Sequence, residues 1–91
     1  PLNTLDMVHA TGLMQLLRRL ADEKGKSIVL VLHDVNYASV YSDRIIAMRD
    51  GDVVHDGPPE TVITEGALGD VYDMEFSVHT LGGDRIAAYF R

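Results

Sequence analysis

The stretch "SIVLVLHDVNYASVY", residues 27–41, decides how this chain is to be read. Ile28 to Leu32 form an unbroken apolar run that ends abruptly at His33 and Asp34. A half-exposed strand alternates apolar and polar residues, because its side chains point to opposite faces. A run apolar at every position instead predicts a parallel strand covered on both faces. In open α/β sheets ligands gather beyond the carboxyl ends of such strands, and His33 stands at that end. An imidazole there can donate a hydrogen bond to an anionic oxygen and change protonation near neutral pH. On position alone, a histidine satisfied within a loop is an equally good reading.

Working outward, "LDMVHATGLMQLLRRLADEKG" (residues 5–25) predicts an amphipathic helix. Ala10, Leu13, Met14, Leu17 and Leu20 share one face at helical spacing, while Arg18, Asp22, Glu23 and Lys24 lie mostly off it. Asp6 reads as its N-cap and Gly25 as its C-terminal stop. Asp34 predicts the cap of a short helix reaching about Tyr41. "RIIAMRDGDVVHDG" (44–57) reads as a β-hairpin turning at Asp50-Gly51, a strong local hairpin signal. Short helices are expected near Glu60 to Ile63 and over Thr64 to Tyr72. "EFSVHTLGGDRIAAYFR" (75–91) predicts a second hairpin about Gly82-Gly83. The fold class is therefore α/β: a helix and a buried parallel strand, then β-hairpins and short helices. A parallel strand needs neighbours reached through crossovers, and no strand precedes the helix. The chain thus reads as the rear half of a larger α/β domain.

Bulk properties narrow the function. The chain has 91 residues, 46% of them apolar, enough for one small domain with a core of modest size. Its formal net charge of −6 argues against a nucleic-acid partner, which needs lysines and arginines to neutralise phosphates. There is no cysteine, which excludes disulfides and thiolate metal sites. No apolar run approaches the roughly 20 residues of a membrane span. The chain opens at Pro1 rather than a methionine, without a secretory signal, and is expected to be part of a longer protein.

Several chemical patterns fall away. Gly25-Lys26-Ser27 matches the end of a phosphate-binding loop, G-x-x-x-x-G-K-[ST], but the first glycine position holds Leu20. The order is also inverted, because the phosphate loop follows a strand and opens a helix. His9, His33, His55 and His79 lack close ligand spacing, and the residue four beyond His9 is Leu13, so zinc is not expected. Ser27, Ser39, Ser42 and Ser77 sit in no nucleophile elbow. For Asp6 the helix cap is locally the better reading.

Four segments together resemble a known family. "PLNTLD" (1–6), a helix, "VLVLHD" (29–34) and "SDRIIAMRDGDVVHDGPPE" (42–60) are similar, in this order, to the C-terminal portion of ABC-transporter ATP-binding subunits. The resemblance covers essentially the whole chain and implies a partial P-loop NTPase-type domain. Pro1 matches the proline after the family's catalytic glutamate. Asn3, Thr4, Leu5 and Asp6 match the D-loop (3–6), which faces a second ATP-binding subunit. His33, in the loop 32–34, matches the switch histidine that contacts the γ-phosphate of ATP. "HDVNYASVYSDRIIAMRDG" (33–51), "VYDMEFSVH" (71–79) and the pair Asn3-Thr4 are most similar to ferric-siderophore importer ATPases, with haem and cobalamin importers as close relatives.

The resemblance implies ATP and Mg²⁺ as cofactors of the parent protein, a homodimeric arrangement, and transmembrane permease subunits as partners at the inner face of the cell membrane. The chain has no phosphate loop, Q-loop, Leu-Ser-Gly-Gly signature or catalytic glutamate before Pro1. The 91 residues alone are thus expected neither to bind nor to hydrolyse ATP, and to self-associate through uncovered apolar surface. Two other classes remain open at this point: a stand-alone protein-interaction module without nucleotide, and an ABC-type ATPase outside transport.

Overall fold

A computed structural model describes the backbone of residues 4–89 and the side chains of residues 7–89. The chain divides into two compact units, one ending at Val31 and the other beginning at Leu32.

The first unit is built on α1 (Thr4–Lys24). Gly25 follows in the left-handed region at φ +62°, where a residue with a Cβ would be strained, and this stops the helix where the sequence predicts. The start differs from expectation. With the helix running from Thr4, Asp6 lies inside the first turn rather than at the cap. Arg18 and Asp22, one turn apart, form a two-pronged ion pair on the outer face. On the predicted apolar face Met14 is buried, whereas Leu13 and Leu20 are exposed.

The largest correction concerns residues 28–32. The predicted buried parallel strand is not formed: no strand is assigned there, and Val29 is 94% and Val31 88% exposed. A strand exists only when its N–H and C=O groups find a neighbour's ladder. The described strands make two separate two-stranded sheets, each a hairpin paired with itself, and no parallel pair occurs among them. The apolar run therefore has the composition of a central strand and no ladder to join.

The second unit carries the remaining elements: α2 (Val35–Tyr41), β1 (Ile45–Arg49), β2 (Asp52–Gly57), α3 (Pro59–Val62), α4 (Glu65–Tyr72), β3 (Ser77–Leu81) and β4 (Asp84–Ala88). All follow the sequence expectation closely. β1 and β2 pair antiparallel through a turn at Asp50-Gly51, with φ of 52° and 83°. Positive φ at both central residues is the mirror-image turn whose twist matches that of the strands. The register slips between Ala47 and Met48, which face His55 and Val53, leaving Val54 as the extra residue of a bulge. β3 and β4 close in the same way over Gly82-Gly83.

The core of this unit is small. Val62, Ile63 and Leu68 are its fully buried large side chains, each contributing about 1.5–3 kcal/mol by removal from water. Val35, Ile45, Phe76 and Val78 pack around Ile63, Leu68 and Ala87, so every element except β2 and α3 sends a residue to this cluster. Two residues pin the first hairpin to the last turn of α4. Arg49 donates to the Asp70 carbonyl at 2.9 Å, placing a cation where helix carbonyls lack partners, and His55 meets the Asp70 carboxylate at 2.9 Å. Thr64 caps α4 by accepting from the Ala67 N–H, and Asp73 ends it in the left-handed conformation at φ 54°.

Gly57 ends the first hairpin because α3 turns back against it. A Cβ there would lie 2.5 Å from the Thr61 hydroxyl oxygen, which donates to the Pro58 carbonyl at 3.1 Å. Gly57→Ala is expected to displace Thr61 and to cost about 1 kcal/mol, the net worth of one hydrogen bond. In Thr61→Ala the same glycine substitution should cost markedly less. Urea unfolding of the four-member cycle checks this, and equal costs in both backgrounds would refute the close approach.

Candidate functional site

His33 is the site residue that the sequence singles out at the end of the apolar run. It occupies the bend between Leu32 and α2 and is exposed to solvent. Its position is set by the helix it leads into. The Asp34 carboxylate accepts from the Asn36 N–H at 2.9 Å and the Tyr37 N–H at 3.1 Å, capping α2 as the sequence predicts. The helix is in turn hooked onto β4. The Asn36 amide accepts from the Ala87 N–H at 2.7 Å and donates to the Ala87 carbonyl at 3.2 Å. One side chain thereby satisfies both polar groups of a backbone position, as a neighbouring strand would. Ser39, buried on the same helix, donates to the Arg85 carbonyl at 2.5 Å, and the Arg85 guanidinium donates to the Ile63 carbonyl at 2.7 Å.

These three residues, Asn36, Ser39 and Arg85, were not legible as site residues in the sequence. Each is polar and stands on a short helix or at a hairpin edge, where solvation is the ordinary expectation. The one local signal was Asn36 in the first turn of a helix already capped by Asp34, a position where a second capping side chain is redundant.

Elsewhere in the second unit, Tyr72, Phe76 and Tyr89 form a chain of tilted rings with centroids 5.3 and 5.6 Å apart. Burial first, and then the charges of Tyr89 and Asp34, push the Tyr72 phenol above its ordinary value. On the first hairpin Arg44 grips Asp56 with two hydrogen bonds of 2.8 and 2.7 Å, which holds the Asp56 carboxyl below the usual aspartate range. This pair sits at the open end of the hairpin and bears on no loop of the site.

The other predicted site residues are placed less fully. Asn3 lies outside the described residues. Thr4, Leu5 and Asp6 form the first turn of α1, and their side chains lie outside the described residues as well. The expected D-loop is thus represented only by backbone.

Comparison with known proteins bears on the identity of this arrangement. No protein-family model matches the chain. Curated relatives do. It is 50% identical over 90 residues, 99% of its own length, to the petrobactin import ATP-binding protein YclP of Bacillus subtilis (strain 168). It is 40% identical over 86% of its length to the petrobactin import ATP-binding protein FatE of Bacillus anthracis. It is 41% identical over 82% of its length to the hemin import ATP-binding protein HmuV of Hahella chejuensis (strain KCTC 2396). The chain belongs to this family of ABC-type import ATP-binding proteins. It spans about a third of the length of the curated relatives it matches: 36%, 31% and 29% of these three.

Whether these residues suit ATP and Mg²⁺ is a matter of donors. Such sites combine a loop of backbone N–H groups and a lysine around the phosphates with a hydroxyl and a carboxylate on the metal. Among the described residues no three His, Asp or Glu side chains converge as metal ligands.

Two substitutions separate the roles of Asp34. Asp34→Ala removes the cap and is expected to cost about 1 kcal/mol, whereas Asp34→Asn keeps it at little cost. Asp34→Asn should also lower the midpoint of Tyr72 in an ultraviolet phenol titration, because a negative neighbour is lost. An unmoved Tyr72 midpoint would show that the two side chains do not interact.

Proposed function

We propose that this chain is the C-terminal part of the ATP-hydrolysing subunit of an ABC importer for an iron complex, of the siderophore or haem class. The observation that carries it is the 50% identity over nearly the whole chain to an import ATP-binding protein, in a family whose members here are named for petrobactin or hemin. His33 is the side chain that contacts the γ-phosphate of ATP, and Asn3, Thr4, Leu5 and Asp6 form the loop turned toward a second ATP-binding subunit. ATP and Mg²⁺ are held chiefly by parts of the parent protein that these residues do not supply. The transmembrane permease subunits are its partners, and it acts peripherally at the cytoplasmic face of the membrane. Among the described residues no helix is long and apolar enough to cross a membrane.

The uncovered apolar surface supports the same reading. Residues 28–31 have the composition of a central parallel strand, and α1 exposes Met7, Val8, Leu13 and Leu16. In the parent, a P-loop-type sheet supplies the ladder and the cover. In isolation the same surface drives the chain to self-associate.

Three measurements test this. In the full-length protein, His33→Ala is expected to lower the rate of ATP hydrolysis by about 100-fold or more, the scale of losing a charge-stabilising donor, while the protein remains folded. Unchanged hydrolysis would remove His33 from the site. The isolated 91 residues should give no saturable ATP binding in calorimetry, and a clear isotherm abolished by His33→Ala would overturn the division of labour. In sedimentation the isolated chain should form dimers or larger species with rising concentration, and a monodisperse monomer would count against an uncovered sheet segment.

A further inference from the structure

His33 and Asp34 lie between the unpaired apolar segment and a seven-residue helix, too short to hold its shape without tertiary support. What fixes them is a continuous chain of hydrogen bonds. Asp34 binds the Asn36 N–H, the Asn36 side chain binds both backbone groups of Ala87, and Ala87 is 2% exposed in the core. Ser39 adds a second hold one turn later, on the Arg85 carbonyl, and Arg85 reaches on to the Ile63 carbonyl. Asn36 therefore stands in two networks at once: its backbone belongs to the cap, its side chain to the last hairpin.

We propose that Asn36 is a positioning residue for His33, and that the hairpin β3–β4 is the fixed frame from which it works, so that the C-terminal hairpin sets where the histidine points. This rests on the reading of His33 as the γ-phosphate contact. The physical case is one of alternatives. If Asn36 lets go, the Ala87 N–H and carbonyl lose their partner in a nearly dry environment, which costs more than the bond itself. The favoured state therefore has α2 docked. Docked, α2 leaves His33 only the freedom of the one bend between Leu32 and its cap. Undocked, the loop from Val29 to Tyr41 becomes one flexible segment. A displacement of about 1 Å at a reacting group is enough to cost on the order of 100-fold in rate.

The test uses the full-length ATPase, with Asn36→Ala, Asn36→Asp, Ser39→Ala and His33→Ala singly, and His33→Ala combined with Asn36→Ala. Two readouts are taken: ATP hydrolysis, and the spectrum of [¹³Cε1]-histidine, in which His33 is assigned by its loss in His33→Ala. In Asn36→Ala the His33 resonance is expected to sharpen and move toward that of a free histidine, and kcat to fall on the order of 10- to 100-fold with little change in KM for ATP. Asn36→Asp keeps the acceptor for the Ala87 N–H and should recover part of both effects. The double variant should be no slower than His33→Ala alone, because Asn36 acts only through the histidine. An unmoved His33 resonance in folded Asn36→Ala, or a further loss of rate in the double variant, overturns the proposal. If Asn36→Ala fails to fold, Ser39→Ala carries the same readouts with a smaller expected shift, and an unmoved resonance there is equally decisive. If His33→Ala leaves hydrolysis unchanged, it is the γ-phosphate reading that fails, and the His33 resonance still decides the clamp.

Discussion

Two hydrogen bonds between the Asn36 amide and the backbone of Ala87 hold together the part of the chain that bears the histidine. They join residues 51 positions apart, so they carry information that no local pattern contains. A side-chain amide is the one group that can both donate and accept in the geometry of a peptide. It therefore extends the edge of β4 as another strand would, while leaving a helix rather than a strand beside it. The rest of the second unit is arranged around this docking. Val35 at the start of α2 reaches the Ile63–Leu68–Ala87 cluster, and Ser39 and Arg85 tie the helix and the hairpin to the α3–α4 turn. The first hairpin joins the same cluster through Ile45 and is tied to the end of α4 by Arg49 and His55.

The two ends of the segment 28–41 obey opposite physics. From Asp34 onward, the Asn36, Tyr37 and Ala38 N–H groups at the start of α2 all find acceptors on Asp34, so the helix forms in this chain. Before His33, the run Ile28 to Leu32 has strong strand composition and no ladder, so it stays uncovered. Strand propensity largely measures how well a side chain fits a pleated surface that already exists, and it cannot supply that surface. Val29 and Val31 are exposed for want of that surface among the described strands.

Membership in the import ATP-binding family rests on extended identity, and the site on one histidine within a frame. On the proposed reading the nucleotide contact is shared between parts of the parent protein. This chain contributes a loop and the structure that steadies it. The phosphate cradle and the metal ligands come, on the same reading, from other parts of the parent protein. If the loop reads the nucleotide as proposed, it does so through a contact that differs between two states, since a ligand shifts an equilibrium only in that way.

Much of the second unit was legible residue by residue. The turns at Asp50-Gly51 and Gly82-Gly83 require positive φ, which Asp and Gly supply at low cost, and the caps Asp34 and Thr64 satisfy donors within three residues of themselves. Such interactions are local, so sequence alone determines them. Gly25 ended α1 for the same reason. Its start was misplaced because Asp6 is a competent cap by residue type, while the helix already runs from Thr4 and so places Asp6 in its first turn. The strand at 28–32 and the roles of Asn36, Ser39 and Arg85 were decided only by tertiary structure. A ladder partner and a buried backbone acceptor belong to another part of the chain, and their presence or absence is a property of the packed fold rather than of the residues that need them.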